Sequence, residues 1–329
     1  MRKLRFEGLI LQALAWCCIA AGAIPGIAAA AFPDRPINMV IAFVPGGGTD
    51  VVARALAPFI EKHLGPNARI VIVNRGGAGG EIGFTAIANA APDGYTIGFI
   101  NSPSIQAILI ERTAQYTMER FDLIGNVVDD PASLSVHADS PIRDLAGLVA
   151  HAKANPGALA AGTPGVGAPG HLVISLLGKL TGAKISHVPY KGAGDVRAAM
   201  AGKQVQIAAV SVGESLQAIK GGMPYRILAQ MSRARSTLAP NVPTAKEQGI
   251  DLEMSSLRGI AAPRGLPADV RDILVRAVER AVNDPEFRVK SVQYYAPLRY
   301  LAPHEFDTAL KEGDVQLRQL WKESPWTDK

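Results

Sequence analysis

Ile37-Asn38-Met39-Val40-Ile41-Ala42-Phe43 runs into Val44-Pro45-Gly46-Gly47-Gly48-Thr49-Asp50, and the apolar period changes at that junction. Up to Phe43 the run reads as a strand. Beyond Asp50, residues Val51, Val52, Ala55, Leu56, Phe59, Ile60 and Leu64 recur at helical spacing until Gly65-Pro66 stops them. The grammar then repeats. Residues 70–73 read as a strand, Gly76-Gly77-Ala78-Gly79-Gly80 as a second glycine loop and residues 81–90 as a helix. Pro92-Asp93-Gly94 marks a turn and residues 95–100 a third strand. Strands alternating with helices through loops of this length imply parallel β-α-β units.

The middle of the chain follows the same pattern. Helices are expected over 144–154, 171–180, 195–201 and 214–220, and strands over 159–161, 185–188, 205–210 and 225–229. Loops Thr163-Pro164-Gly165-Val166-Gly167-Ala168-Pro169-Gly170 and Pro189-Tyr190-Lys191-Gly192-Ala193-Gly194 join them. After Pro263-Arg264-Gly265-Leu266-Pro267, one long helix carries Val270, Ile273, Leu274, Ala277, Val278 and Ala281 on one stripe, and a last helix begins near Pro303. No repeat of twenty to fifty residues is visible. The expectation is two α/β lobes with helices at the C-terminus.

The N-terminus reads differently. Arg2, Lys3 and Arg5 precede an almost wholly apolar stretch from Leu9 to Ile24, and small residues lead to Phe32-Pro33-Asp34. A basic start, an apolar core short for a membrane span and an A-x-A ending predict a cleaved signal peptide over 1–31. Both cysteines, Cys17 and Cys18, fall within it, so the mature chain has no cysteine and no disulfide framework. The chain has 329 residues, 48% hydrophobic and 19% charged, which excludes a disordered protein. Its formal charge is +5; losing three basic residues and one acid with the signal peptide leaves +3. No basic run with interleaved aromatics marks a nucleic-acid surface.

Each glycine loop lies between a strand end and a helix start, where open α/β sheets bind ligands. The first N–H groups of a helix lack internal partners, and glycine lets an anion approach the backbone. Gly165-Val166-Gly167-Ala168-Pro169-Gly170 formally matches G-x-G-x-x-G, yet the segment His187-Val188-Pro189-Tyr190-Lys191 lacks the acid that would hold a ribose. The six histidines show no zinc spacing, and no nucleophile elbow or Walker lysine appears, so neither a metal nor a cofactor is expected. His171, at a helix start, reads either as a ligand donor or as a capping residue. Asp50 reads as a dipole-compensating carboxylate.

In order along the chain, Phe32-Pro33-Asp34-Arg35-Pro36-Ile37, Pro45-Gly46-Gly47-Gly48-Thr49-Asp50, Asn74-Arg75-Gly76-Gly77-Ala78-Gly79-Gly80 and Ala91-Pro92-Asp93-Gly94-Tyr95-Thr96 resemble the substrate-binding proteins of tripartite tricarboxylate transporters, the Bug or TctC type. The likeness continues through His187-Val188-Pro189-Tyr190-Lys191-Gly192 and Gly202-Lys203-Gln204-Val205-Gln206 to Val242-Pro243-Thr244. It implies a two-lobed, type II-like periplasmic-binding-protein fold of the α/β class, with a hinge of crossing strands and a ligand cleft between the lobes. Lobe 1 is expected over 32–131 and 255–329, lobe 2 over 132–254. The implied function is that of a periplasmic, monomeric, non-enzymatic protein that captures a small carboxylate for membrane permease subunits. An exported enzyme and a receptor-coupled sensor are the alternatives on the same frame.

The resemblance carries the site onto Gly46, Gly47, Gly48, Thr49 and Asp50, facing Thr163, Gly165, Gly167, Ala168 and His171, with Ser102 and Tyr190 at the edges. Three departures bear on the ligand. Ala168 stands where a hydroxyl is usual, and the strand ending at Val210 lacks an acid common there, which disfavours a zwitterionic amino acid. Leu257-Arg258 replaces a common aromatic pair. Arg258 then reads either as a new anion contact or as a surface arginine beside the hinge.

Overall fold

The computed structural model describes residues 32–326. The signal segment 1–31, with Cys17 and Cys18, lies outside the described residues. Every element described belongs to one unit that begins at Arg35.

The opening stretch forms β1 (Ile37–Ile41) and α1 (Gly48–Leu64). Val52, Leu56, Phe59 and Ile60 bury one stripe of α1, and Gly65 ends it with φ 120°, a backbone that glycine adopts without strain. β2 (Ile70–Asn74), α2 (Glu81–Ala88), β3 (Thr96–Ser102) and α3 (Ser104–Glu111) follow. β1 pairs in parallel with β2 and with β3, as the alternation predicts.

A 17-residue strand, β4 (Phe121–His137), then crosses the molecule. The second region holds α4 (Leu145–Ala154), β5 (Ala160–Thr163), α5 (Pro169–Thr181), β6 (Ser186–Pro189), α6 (Ala193–Ala201), β7 (Ile207–Ser211), α7 (Val212–Lys220) and β8 (Tyr225–Gln230). The chain returns along β9 (Ser255–Pro263) and ends with α8 (Ala268–Asn283), α9 (Pro285–Gln293), β10 (Leu298–Leu301) and α10 (Pro303–Glu323).

The strand order β2-β1-β3-β9-β4-β7-β5-β6 shows how the regions join. Residues 121–131 of β4 run antiparallel to β9, with Asp130 opposite Ser256, while residues 132–137 run antiparallel to β7 and β8, with Leu134 opposite Ala209. One strand thus belongs to a first sheet at its start and to a second at its end. Separate cores accompany the sheets. Phe84, Ile105, Tyr116 and Phe306 lie in one, against α2, α3 and α10; Leu134, Leu148, Leu177 and Leu228 lie in another, against α4 and α5.

Local periodicity does not locate β4, β9, β10, α3 or α9. β4 is buried on both faces and carries Asp122, Asp129, Asp130 and Pro131, so it lacks the alternation of a half-buried strand. The helices expected from 171 and 195 begin two residues earlier, at Pro169 and Ala193.

Candidate functional site

A cavity of about 40 Å³, with room for a few water molecules, lies where the two regions meet. Five helices begin at its wall. Gly48 of α1 and Ser104 of α3 approach from the first-sheet side; Pro169 of α5, Ala193 of α6 and Ser211, the cap of α7, approach from the second. Unpaired N–H groups give each start a partial positive charge of roughly half a unit, so the cavity is suited to an anion. A larger groove of about 1010 Å³ runs between residues 117–123 and α10, but its lining mixes charges of both signs and no helix converges there from the second sheet. The smaller cavity is therefore the candidate site.

Arg258 is buried in β9 at 3% exposure and lines the cavity, which corrects the reading of a surface arginine. Its Nη2 donates to Ser211 Oγ at 2.9 Å and lies 3.2 Å from Asp130 Oδ2 and 3.5 Å from Glu214 Oε1. Arg258 Nε has no hydrogen-bond partner. Behind the guanidinium, Asp130 Oδ1 accepts the Gly213 N–H at 3.0 Å. Burial, helped by the charge of Glu214, pushes the Asp130 carboxyl up to about 6, and Arg258 and the hydrogen bonds from Ser211 and Gly213 only partly offset this.

Glu214 completes the cluster. Its Oε2 accepts the Ser211 N–H at 3.0 Å while Ser211 Oγ accepts the Glu214 N–H at 3.3 Å, a capping box that starts α7. Its Oε1 accepts the Gly48 N–H at 3.1 Å, across 166 residues of chain. Two acids, Glu214 and Asp130, do stand near Val210, but Arg258 and backbone N–H groups engage both of them.

Of the residues expected at the site, Gly47, Gly48, Thr49 and Ala168 line the cavity. Thr49 Oγ1 accepts from Asn101 Nδ2 at 2.9 Å, leaving Asn101 Oδ1 buried without a partner. Gly46 and Asp50 stand behind them. The Asp50 carboxylate accepts from the Gly46 N–H at 3.0 Å, Asn74 Nδ2 at 2.9 Å and Arg54 Nε at 3.0 Å. Burial would raise its pKa, but these donors outweigh burial and hold it below the ordinary value. It braces the loop and does not line the cavity.

The other expected residues do not reach the cavity wall. Thr163 Oγ1 bonds His187 Nε2 at 2.7 Å, and His171 accepts the Gly167 N–H at 3.1 Å while its ring stacks on His187 at 3.9 Å. Gly165 and Gly167 instead permit contact between the two sides. A Cβ on Gly165 would lie 2.9 Å from Gly79 Cα, and one on Gly167 2.7 Å from Ala107 Cβ. Ser102 Oγ lies toward Gly313, and the Tyr190 ring packs near Gly162. Sequence reasoning missed Asp130, Asn101, Ser104, Ser211, Glu214 and Ser256. The Ser211-x-x-Glu214 pattern was the signal available, because it spells a capping box.

Among the described residues, no group of three or more metal-ligating side chains is assembled, and no helix is long and apolar enough to cross a membrane. A family profile described as "Tripartite tricarboxylate transporter family receptor" matches residues 52–295. Protein BugT of Bordetella pertussis is 34% identical over 267 residues, 80% of this chain and 81% of its own. A structure of the periplasmic binding protein BugD superposes with a TM-score of 0.83 at 32% identity, covering 89% of this chain and 98% of BugD. MatC of Rhodopseudomonas palustris, solved with bound malate, gives 0.80 at 26% identity, covering 88% and 99%. The fold is therefore the two-lobed α/β fold of periplasmic binding proteins.

Proposed function

Since this chain belongs to the tripartite tricarboxylate transporter receptor family, we propose that it captures a small carboxylate in the cleft between its lobes and delivers it to membrane permease subunits. The observation that carries this reading is the convergence of five helix starts and one buried arginine on a single cavity. A carboxylate there takes N–H groups from Gly48 and Thr49 on one side, and from Gly170 and the start of α6 on the other. Arg258 supplies the one full positive charge. Holding the ligand from both sides couples binding to lobe closure, because neither set of donors alone satisfies the anion.

The lobes of this proposal comprise residues 32–131 with 255–329, and 132–254; β4 and β9 form the hinge. The protein acts as a monomer in the periplasm after loss of residues 1–31. MatC, with its malate, supports a di-acid of about four carbons as the first ligand to try.

The test is a thermal-shift panel on the mature chain, with mono-, di- and tricarboxylates, aromatic acids and amino acids. A ligand that binds only the folded state stabilises it by about 2.7 kcal/mol at a hundredfold excess over Kd. At least one di- or tricarboxylate is expected to raise the Tm by several degrees. A flat response to every acid overturns the reading.

A further inference from the structure

Glu214 stands where the carboxylate of a ligand is expected. Its Oε1 takes the Gly48 N–H at the start of α1 and lies beside Arg258 Nη2, so one side chain uses both an N-terminal donor and the cavity's cation. The fit is tight: a Cβ on Gly48 would lie 2.9 Å from Glu214 Oε1 and 2.3 Å from Arg258 Nη1. The surrounding groups are donors, namely the N–H groups of Gly48 and Ser211 and the guanidinium, so the place suits an anion and not an ammonium group. Beside it the cavity is open, and a ligand carboxylate reaches the Gly48 N–H only where Glu214 Oε1 gives way.

We propose that Glu214 is an internal competitor that sets ligand preference: it occupies the anion seat formed by Gly48 and Arg258, and a ligand carboxylate enters by displacing it. The proposal rests on the carboxylate reading of the cleft. A monocarboxylate that merely replaces Glu214 regains the same donors and leaves a second carboxylate close by, so it gains little. A dicarboxylate gains more, because its second group also reaches helix-start donors on the cavity wall that Glu214 leaves unused, such as the Gly170 N–H of α5. Glu214 thereby favours di-acids over mono-acids. It also ties the lobes together, since Gly48 and Glu214 sit on opposite sides of the cleft.

The experiment titrates malate and acetate calorimetrically into the mature wild type and Glu214→Gln, and records solution scattering of wild type and Glu214→Ala in buffer alone. Glu214→Gln keeps an oxygen for the Ser211 N–H and so preserves the start of α7. It is expected to bind malate at least tenfold more tightly and to narrow the malate-to-acetate ratio. Unchanged or weaker malate binding overturns the proposal, as does a wider ratio. If neither acid binds either protein, the carboxylate reading fails for these probes, and scattering decides the role of Glu214. A larger radius of gyration for Glu214→Ala supports the cross-lobe tie; profiles identical to wild type overturn it.

Discussion

Arg258 shares its charge between two carboxylates in different surroundings. Asp130 is sealed behind it, whereas Glu214 faces the cavity. Ionised Asp130 loses hydration that one ion pair and one backbone N–H only partly replace, which is why its pKa rises to about 6 from 3.8. A carboxyl with a raised folded-state pKa favours folding while protonated. Its contribution is complete below about pH 4 and is lost as pH rises to about 6, a difference of about 3 kcal/mol. Asp50 acts in the opposite direction, since its lowered pKa costs stability only as pH falls below about 4. The expected outcome is a wild-type stability that declines from pH 4 to 6 relative to Asp130→Asn, measured by urea unfolding; parallel curves contradict the assignment. Asp50 was legible in the sequence as a first-turn acid because its role is local. Arg258 was not, since its burial depends on β4 and α7, more than forty residues away along the chain.

At the scale of elements, the loops read as anion cradles divide into two kinds. The turn at Gly46–Gly48 does open onto the cavity, and a Cβ at Gly48 would press on the ends of the Glu214 and Arg258 side chains. Gly79 and Gly165 meet each other instead, and they let the lobes touch. Both kinds have the same sequence signature, a glycine cluster between strand and helix, so only the paired geometry separates them. Gly170 shows a third use. A Cβ there would lie 1.9 Å from Ala209 O, so α5 rests directly on β7. Gly170→Ala forces these elements apart and is expected to cost about 3 kcal/mol, read as a fall in Tm of the ligand-free protein. A change below about 0.5 kcal/mol would show that the packing yields easily. The β-α units were legible because strand and helix periods alternate over short loops. β4 and β9 were not, because a strand shared between two sheets and buried on both faces shows neither period.

For the whole molecule, the consequence of the shared strands is that the cavity proposed to seat the anion is lined from both lobes. α1 and α3 come from one side and α5, α6 and α7 from the other, with Arg258 on a crossing strand between them. The two-lobed fold could be read from the sequence through its ordered motifs, whereas the charge balance of the cleft required Asp130, Glu214 and Arg258 to be seen together. The measurement that bears most directly on the site is calorimetric titration of the most stabilising acid into wild type and the double variant Asp130→Asn with Arg258→Gln. The pair is changed together so that neither charge is left buried alone. Wild type is expected to bind one acid per chain, and loss of the charged donor is expected to weaken binding by about ten- to a hundredfold. Binding of equal strength in both proteins would contradict the assignment of Arg258 and its ring of helix starts as the seat of the carboxylate.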